Sequence, residues 1–265
     1  MKASLTNVFL VLFCLTIQSN VVIGQISSNW YAYEGDNYRL FYSDKDTSDI
    51  WQFLAYFDNG IATIQKHFKK SFRDIFNVYI HPDRVSLDAQ WSNDWNMPGF
   101  KSECWMVGSG VANQFDLLSP RVWNELACEH DPADTLEIQK LITHELMHVY
   151  HGQINGHHFF EDMTELNWLI EGTAVYISGQ FDDKRIFRLK EALNKEKTLD
   201  SLNTAWQGDY RYAVCGSMSA YISETYDIEI VYELLTFQTN SDVLNKLNLT
   251  EVQFLTEWKK YVEKL

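Results

Sequence analysis

Residues 141–152 read LITHELMHVYHG, an apolar run that contains His144, Glu145 and His148 in the spacing H-E-x-x-H. Residues four apart lie on one face of an α-helix, so the two imidazoles can bind one metal ion, with Glu145 one position along. Zinc suits this spacing, because it takes neutral imidazole nitrogens and needs a third protein ligand plus one open position. The segment therefore predicts a helix that carries part of a zinc site and a base beside it.

A second apolar run, NWLIEGTA at residues 167–174, contains one acid followed by small residues. Glu171 follows His148 by 23 residues. That length is enough for the first helix to end near Gly152, for a loop to turn back, and for a second helix to present one carboxylate. The spacing therefore makes Glu171 the candidate third ligand.

Together, H-E-x-x-H and the downstream W-x-x-E-G-x-A resemble the gluzincin class of zinc metallopeptidases, specifically the small thermolysin-like, or peptidase MA-like, domains. The resemblance is strongest over residues 136–178. It implies an α+β fold with an N-terminal mixed sheet and helices, an active-site helix carrying H-E-x-x-H, and a helical C-terminal lobe. It also implies Zn²⁺ held by His144, His148 and Glu171, and peptide-bond hydrolysis by a zinc-activated water with Glu145 as general base.

Other features of the class are matched less closely. Relatives often use a Tyr before a later helix to stabilise the oxyanion, which points first to Tyr212 and second to Tyr210, although a packing role stays open for either. Thermolysin orients a ligand histidine with an Asp where this chain has Val175. Glu165 or Asp162 could substitute for it.

Substrate binding in these domains uses the strand before the zinc helix as a sheet edge, and we expect residues 111–118 to form it, with an inner strand as the alternative. Related aminopeptidases have a G-x-M-E-N segment there, whose Glu grips the free amino terminus. Residues 110–113 read GVAN and lack that Glu. The resemblance therefore favours an endopeptidase over an aminopeptidase.

The coarse pattern of elements is mixed. Alternation predicts strands at residues 38–43 and 77–81, helical spacing predicts a helix at 47–68 despite Gly60, and we expect the helices on one face of the sheet. The polar residues 83–109 indicate an irregular insertion. Capping-box spacing places helix starts at Asp134 and Asp162. Helices are also predicted at residues 184–193, 215–224, 228–235 and 250–262.

Residues 1–24 have the features of a secretory signal peptide, with Lys2, an apolar run too short to span a bilayer, and a small residue at Gly24. We therefore expect an exported protein, extracellular or periplasmic. The remaining residues 25–265 fit one peptidase domain, with residues 25–152 as an α/β lobe carrying the zinc helix and residues 153–265 as the helical lobe.

The composition and charge of the chain limit the classes of molecule that it can bind. The hydrophobic share of 46% supports a packed core, and the formal net charge of −14 disfavours nucleic acid and anionic membranes. We expect a monomer that acts on a peptide or protein substrate. Among Cys104, Cys128 and Cys215, at most one internal disulfide can form. We favour Cys104 with Cys128 and a buried thiol at Cys215, although the sequence alone leaves the pairing open.

Two other functions remain compatible with the residues. One is a secreted protein that keeps the fold and the metal but only binds its partner. The other is zinc-dependent cleavage of a non-peptide bond, because a fold does not fix the reaction.

Overall fold

The structure is a computed structural model that describes residues 23–27, 30–194 and 199–265. The described strands are β1 Ile23–Ser27, β2 Trp30–Glu34, β3 Tyr38–Ser43, β4 Phe76–His81, β5 Gly108–Val111 and β6 Gln114–Leu118. The described helices are α1 Ile50–Phe68, α2 Arg84–Asp94, α3 Trp123–Leu126, α4 Thr135–Ile154, α5 Asn167–Ile177, α6 Asp183–Asn194, α7 Arg211–Thr225, α8 Ile228–Leu234, α9 Asn240–Leu247 and α10 Glu251–Val262.

The strands form one sheet in the order β1-β2-β3-β4-β6-β5. β3 and β4 pair in parallel, as do β4 and β6, whereas the other neighbours are antiparallel. The mixed sheet and the α+β class are therefore confirmed. Successive side chains of a strand point to opposite faces of the sheet, and Phe115 of β6 points to the face covered by α1. There Phe57 of α1 packs edge-on against it, with ring centroids 5.3 Å apart.

Helix α1 crosses the zinc helix α4 closely because of Gly60. A Cβ added to Gly60 would lie 2.6 Å from Leu146 Cδ1 and 3.2 Å from Thr143 Oγ1, so a side chain at this position would displace Leu146. The glycine that weakens the helical pattern in the sequence is thus the point at which α1 holds α4 against the sheet.

The expectation of an irregular insertion at residues 83–109 is wrong in its first part, where α2 forms. Asp83 caps this helix by accepting a hydrogen bond from Ser86 N. Ser86 and Asp94 of α2 bond to His81 and Gln114 on the outer side of the sheet. The helices therefore lie on both faces rather than on one. The helix was missed because its residues are mostly polar.

The predicted strand at residues 111–118 is two strands of a hairpin. β5 ends at Val111, Ala112 and Asn113 form the turn, and β6 follows. β6 lies inside the sheet between β4 and β5, so the edge strand on this side of the sheet is β5. The single strand was predicted because the turn contains neither Gly nor Pro.

The chain after α4 folds as helices and loops, as expected, but α5 begins later than predicted. Its first residue is Asn167, and Leu166 occupies the cap position without a side-chain bond. Asp162 has φ 63°, a left-handed conformation that differs from the extended one of an N-cap residue. Asp134 does cap α4, where it accepts from Glu137 N at 3.0 Å.

Cys104 and Cys128 form the expected disulfide, and Cys215 is a buried free thiol. The predicted signal peptide lies outside the described residues except for Ile23 and Gly24, which belong to β1. Within the described part of the chain, no helix combines the length and apolar character needed to cross a bilayer.

Candidate metal centre

Helix α4 presents His144 and His148 on one face, as the four-residue spacing predicts. Both side chains are buried, their ring centroids are 4.8 Å apart, and their Nε2 atoms are 3.1 Å apart. Two imidazole nitrogens pointing at one position in a buried setting are a typical start of a transition-metal site.

Helix α5 brings Glu171 to the same position. Its Oε2 lies 3.4 Å from His144 Nε2 and 3.7 Å from His148 Nε2. The residue that follows, Gly172, explains how α7 can cross α5 at this point: an added Cβ would lie 2.3 Å from the backbone oxygen of Cys215. The E-G pair therefore supplies one possible ligand and the close approach of the helix behind it.

The three donor atoms fit zinc. With bonds of about 2.0–2.1 Å and tetrahedral angles, ligand atoms lie roughly 3.3–3.4 Å apart. The observed separations of 3.1, 3.4 and 3.7 Å scatter around that value. His144, His148 and Glu171 are thus a group that could hold a metal ion. Two neutral nitrogens and one carboxylate oxygen also match the ligand set of catalytic zinc sites.

Glu145 lies beside this cluster and next to the edge strand. The backbone N–H of Gly110 in β5 favours the charged form of its carboxylate, which partly offsets the effect of burial on the pKa. The strand comes this close because Gly110 has no side chain: an added Cβ would be 2.1 Å from Glu145 O and 3.3 Å from His148 Cβ. Residues 110–113 drew attention in the sequence for the Glu they lack, whereas the structure shows that the glycine is the residue that touches the site.

Burial and charge shape the titration of the site. Burial raises the pKa of Glu145 to about 7 and lowers the pKa of His148 to about 4. Burial also disfavours the charged forms of His144 and Glu171, but their mutual attraction outweighs it, so the pKa of His144 is raised and that of Glu171 is lowered.

Tyr212, in the first turn of α7, lies beside the cluster. Its ring centroid is 6.5 Å from that of His144, and burial raises its pKa. Tyr210 instead lies beneath Arg188, whose guanidinium carbon is 5.3 Å from its ring. The geometry thus favours Tyr212 over Tyr210 as a group that can reach a bound substrate.

No motif in the sequence predicts the arginines that surround Tyr212. The guanidinium carbons of Arg211 and Arg185 lie 5.2 and 5.4 Å from its ring, and Trp206 packs edge-on against it at 4.8 Å. Arg211 also contacts the ring of Trp206 at 5.3 Å. Their positions depend on how α6 packs against α7, which no motif records.

Neither substitute proposed for the histidine-orienting acid reaches the site. Asp162 is exposed, and the Glu165 carboxylate accepts from Asn240 N at 3.1 Å instead. Val175 is buried. Among the residues that the structure describes, the buried Nδ1 of His144 has no hydrogen-bond partner. The orienting role is therefore not filled by either predicted acid.

No protein-family model and no curated protein matches this chain. Among solved structures, the chain is similar to the crystal structure of an M1 zinc metallopeptidase from Deinococcus radiodurans, with 12% identity, a TM-score of 0.44, and 91% of this chain and 49% of that one covered. A mutant of an M1 zinc metallopeptidase from the same organism gives 10% identity, a TM-score of 0.42, and coverages of 91% and 50%. The chain spans about half the length of these structures. A likeness this distant does not establish a function, so the chemistry must follow from the site.

Proposed function

We propose that this protein is a secreted zinc metallopeptidase with a thermolysin-like site, acting as an endopeptidase on peptides or proteins. The observation that carries the proposal is the convergence of His144, His148 and Glu171 from two helices, at separations that suit one tetrahedral ion, next to the carboxylate of Glu145. Zinc in that position would polarise the scissile carbonyl and acidify a water molecule.

The protein's own groups then have distinct tasks. Glu145 accepts the proton of the attacking water and passes it to the leaving amine, since it lies next to the ligand His144. Tyr212, whose ring centroid is 6.5 Å from that of His144, donates a hydrogen bond to the developing oxyanion. The Gly110 N–H favours the charged form of Glu145, which is the form that accepts the proton.

The edge strand β5 supports binding of an extended peptide. β5 pairs with β6 on one side only, and the N–H of Gly110 points away from β6, toward Glu145. Alternate residues of a strand share this direction, so Gly108 also offers backbone groups outward. A peptide that pairs with this edge crosses the site, and residues 110–113 (GVAN) lack the Glu that would grip its amino terminus, which supports an endopeptidase.

A zinc-binding protein without catalytic activity is the second candidate. The observation that favours it is the unpartnered Nδ1 of His144, because orienting partners typically change metal affinity or activity about 10- to 100-fold.

A quenched-fluorescence peptide library distinguishes the two candidates. The zinc-loaded protein should cleave members of the library, and both a chelator and Glu145→Gln should abolish cleavage, while Glu145→Gln still binds one zinc. Glu263→Gln, which changes an exposed carboxylate near the chain end, is the matched control and should keep full activity. One bound zinc per chain without any cleavage would refute the peptidase and favour the non-catalytic protein instead.

A further inference from the structure

Arg185, Arg211, Tyr212 and Trp206 form a cationic wall beside the candidate metal centre. Both guanidinium carbons lie within 5.4 Å of the Tyr212 ring, which itself faces His144. All four side chains are partly exposed, so the wall borders solvent. Such a concentration of positive charge is unexpected in a chain whose formal net charge is −14.

Other arginines of the chain show what a structural role looks like here. Arg39 pairs with Glu34 at 3.1 Å, and Arg121 pairs with the buried Asp46 at 3.2 Å. Arg84 donates to backbone oxygens of Leu126 and Met106. These contacts satisfy each guanidinium within the fold.

The arginines of the wall are not satisfied in this way. Arg211 Nε is buried and has no hydrogen-bond partner among the residues described by the structure. Arg185 donates to Gln180 Oε1 at a long 3.5 Å. The nearby acid Asp182 is already paired with Lys140 at 2.8 Å. Glu171 and Asp182 attract Arg211 and Arg185 electrostatically, but neither guanidinium forms an ion pair with a carboxylate among the residues that the structure describes. A half-buried guanidinium of this kind has lost hydration that a bound anion can replace.

We propose that Arg185 and Arg211 bind a carboxylate of the substrate, so that the site prefers acidic peptides. This preference rests on the proposed peptidase function and adds its substrate class. The planar, multi-donor guanidinium matches a carboxylate, and Trp206 with Tyr212 supplies flat surfaces for the neighbouring peptide atoms. The carboxylate is either an Asp or Glu side chain or the free carboxyl end of the peptide.

The position of the wall limits where that carboxylate lies. Both guanidinium groups lie against the Tyr212 ring, at 5.2 and 5.4 Å, and the centroid of that ring is 6.5 Å from that of His144. An extended peptide advances about 3.3–3.6 Å per residue, so the acidic group belongs within about three residues of the scissile bond.

Binding measurements test this without turnover. Zinc-loaded Glu145→Gln protein is titrated calorimetrically with N-acetylated, C-amidated alanine hexapeptides that carry one Glu at each position in turn, each paired with its Gln counterpart. All-alanine peptides with either a free or an amidated carboxyl end are also compared. This comparison tests whether the bound carboxylate is the carboxyl end of the peptide. We expect the best-placed acid to bind about 10- to 100-fold more tightly than its neutral partner.

Variants then assign the preference to the wall. Arg211→Gln and Arg185→Gln should each remove most of the difference between the acidic and neutral peptides, and Arg211→Lys should keep part of it. The control is Arg39→Gln, which removes a guanidinium from β3 outside the site and should leave the difference unchanged. Thermal unfolding of each variant verifies that it is folded.

Three results would overturn the inference. One is equal affinity for acid and amide at every position and at the carboxyl end. Another is a preference for the acidic peptide that persists in the double variant Arg185→Gln/Arg211→Gln. The third is an equal weakening of acidic and neutral peptides, which would mean that the arginines only hold Tyr212 in place. If the acidic preference is found but the unmodified protein cleaves no peptide, the carboxylate site stands and the proposed peptidase function fails.

Discussion

Replacing Glu171 by Gln should remove most of the zinc affinity while keeping the shape of the side chain. Glu171 supplies the only carboxylate of the described three-residue cluster, and its Oε2 lies 3.4 and 3.7 Å from the two imidazole nitrogens. Its loss leaves two neutral ligands. Because even orienting partners change metal affinity about 10- to 100-fold, losing a ligand should cost at least the upper end of that range.

The effect can be read from thermal unfolding. Zinc supplied at about 100 times its dissociation constant stabilises the folded protein by about 2.7 kcal/mol. For a chain of this size that corresponds to an increase of roughly 5–11 °C in Tm. An affinity lowered about 100-fold leaves about 0.4 kcal/mol at the same zinc concentration, and a shift of only about 1–2 °C.

Differential scanning calorimetry with and without zinc, together with elemental analysis, makes the measurement. Each variant is compared with its own metal-free form, because Glu171 also attracts His144 and Arg211 when no metal is bound. Glu145→Gln is the matched control and should show the full shift, since this carboxylate is outside the ligand cluster. A Glu171→Gln protein with the unmodified zinc shift, or an unmodified protein with no zinc shift, would refute the assignment of the three ligands.

Three further outcomes are expected. Tyr212→Phe should lower kcat by about 10²- to 10³-fold with little change in KM if its hydroxyl stabilises the oxyanion. Tyr210→Phe is the control and should leave kcat unchanged. Equal kcat values for the two variants would show that Tyr212 has no role in the reaction. Gly172→Ala should lower the free energy of unfolding by about 1–3 kcal/mol in urea titrations, because its Cβ would overlap the backbone of Cys215, and an unchanged midpoint would contradict the close helix crossing. Cys104→Ser opens a disulfide whose cysteines are 24 residues apart and should cost about 3 kcal/mol by the same measurement, with reductant giving no further loss in this variant.

The sequence by itself determined the parts of the site that depend on short-range geometry. Four-residue spacing on a helix fixes the relation of His144 to His148, and the Asp134 cap fixes where that helix begins. The distance to Glu171 required only a loop and a second helix. These inferences hold because helical periodicity is set by the backbone and does not depend on distant parts of the chain.

Local patterns failed where two conformations were compatible with the same residues. Asp162 and Glu165 have capping spacing, but the loop uses Asp162 in a left-handed turn and starts α5 at Asn167. The run at residues 111–118 has no Gly or Pro at its turn, so the hairpin and its edge strand β5 were hidden. In both cases contacts with the rest of the fold select the conformation.

Only the tertiary structure decided what surrounds the metal cluster. Gly110 touches Glu145 because β5 lies against α4, and Gly172 allows α7 to cross α5 so that Tyr212 and Arg211 reach the site. Side chains separated by tens of residues meet through the packing of helices and strands, and packing depends on the shapes of both partners. The spacing of His144 and His148 is set within one helix, whereas the position of Arg211 beside them depends on how several helices pack together.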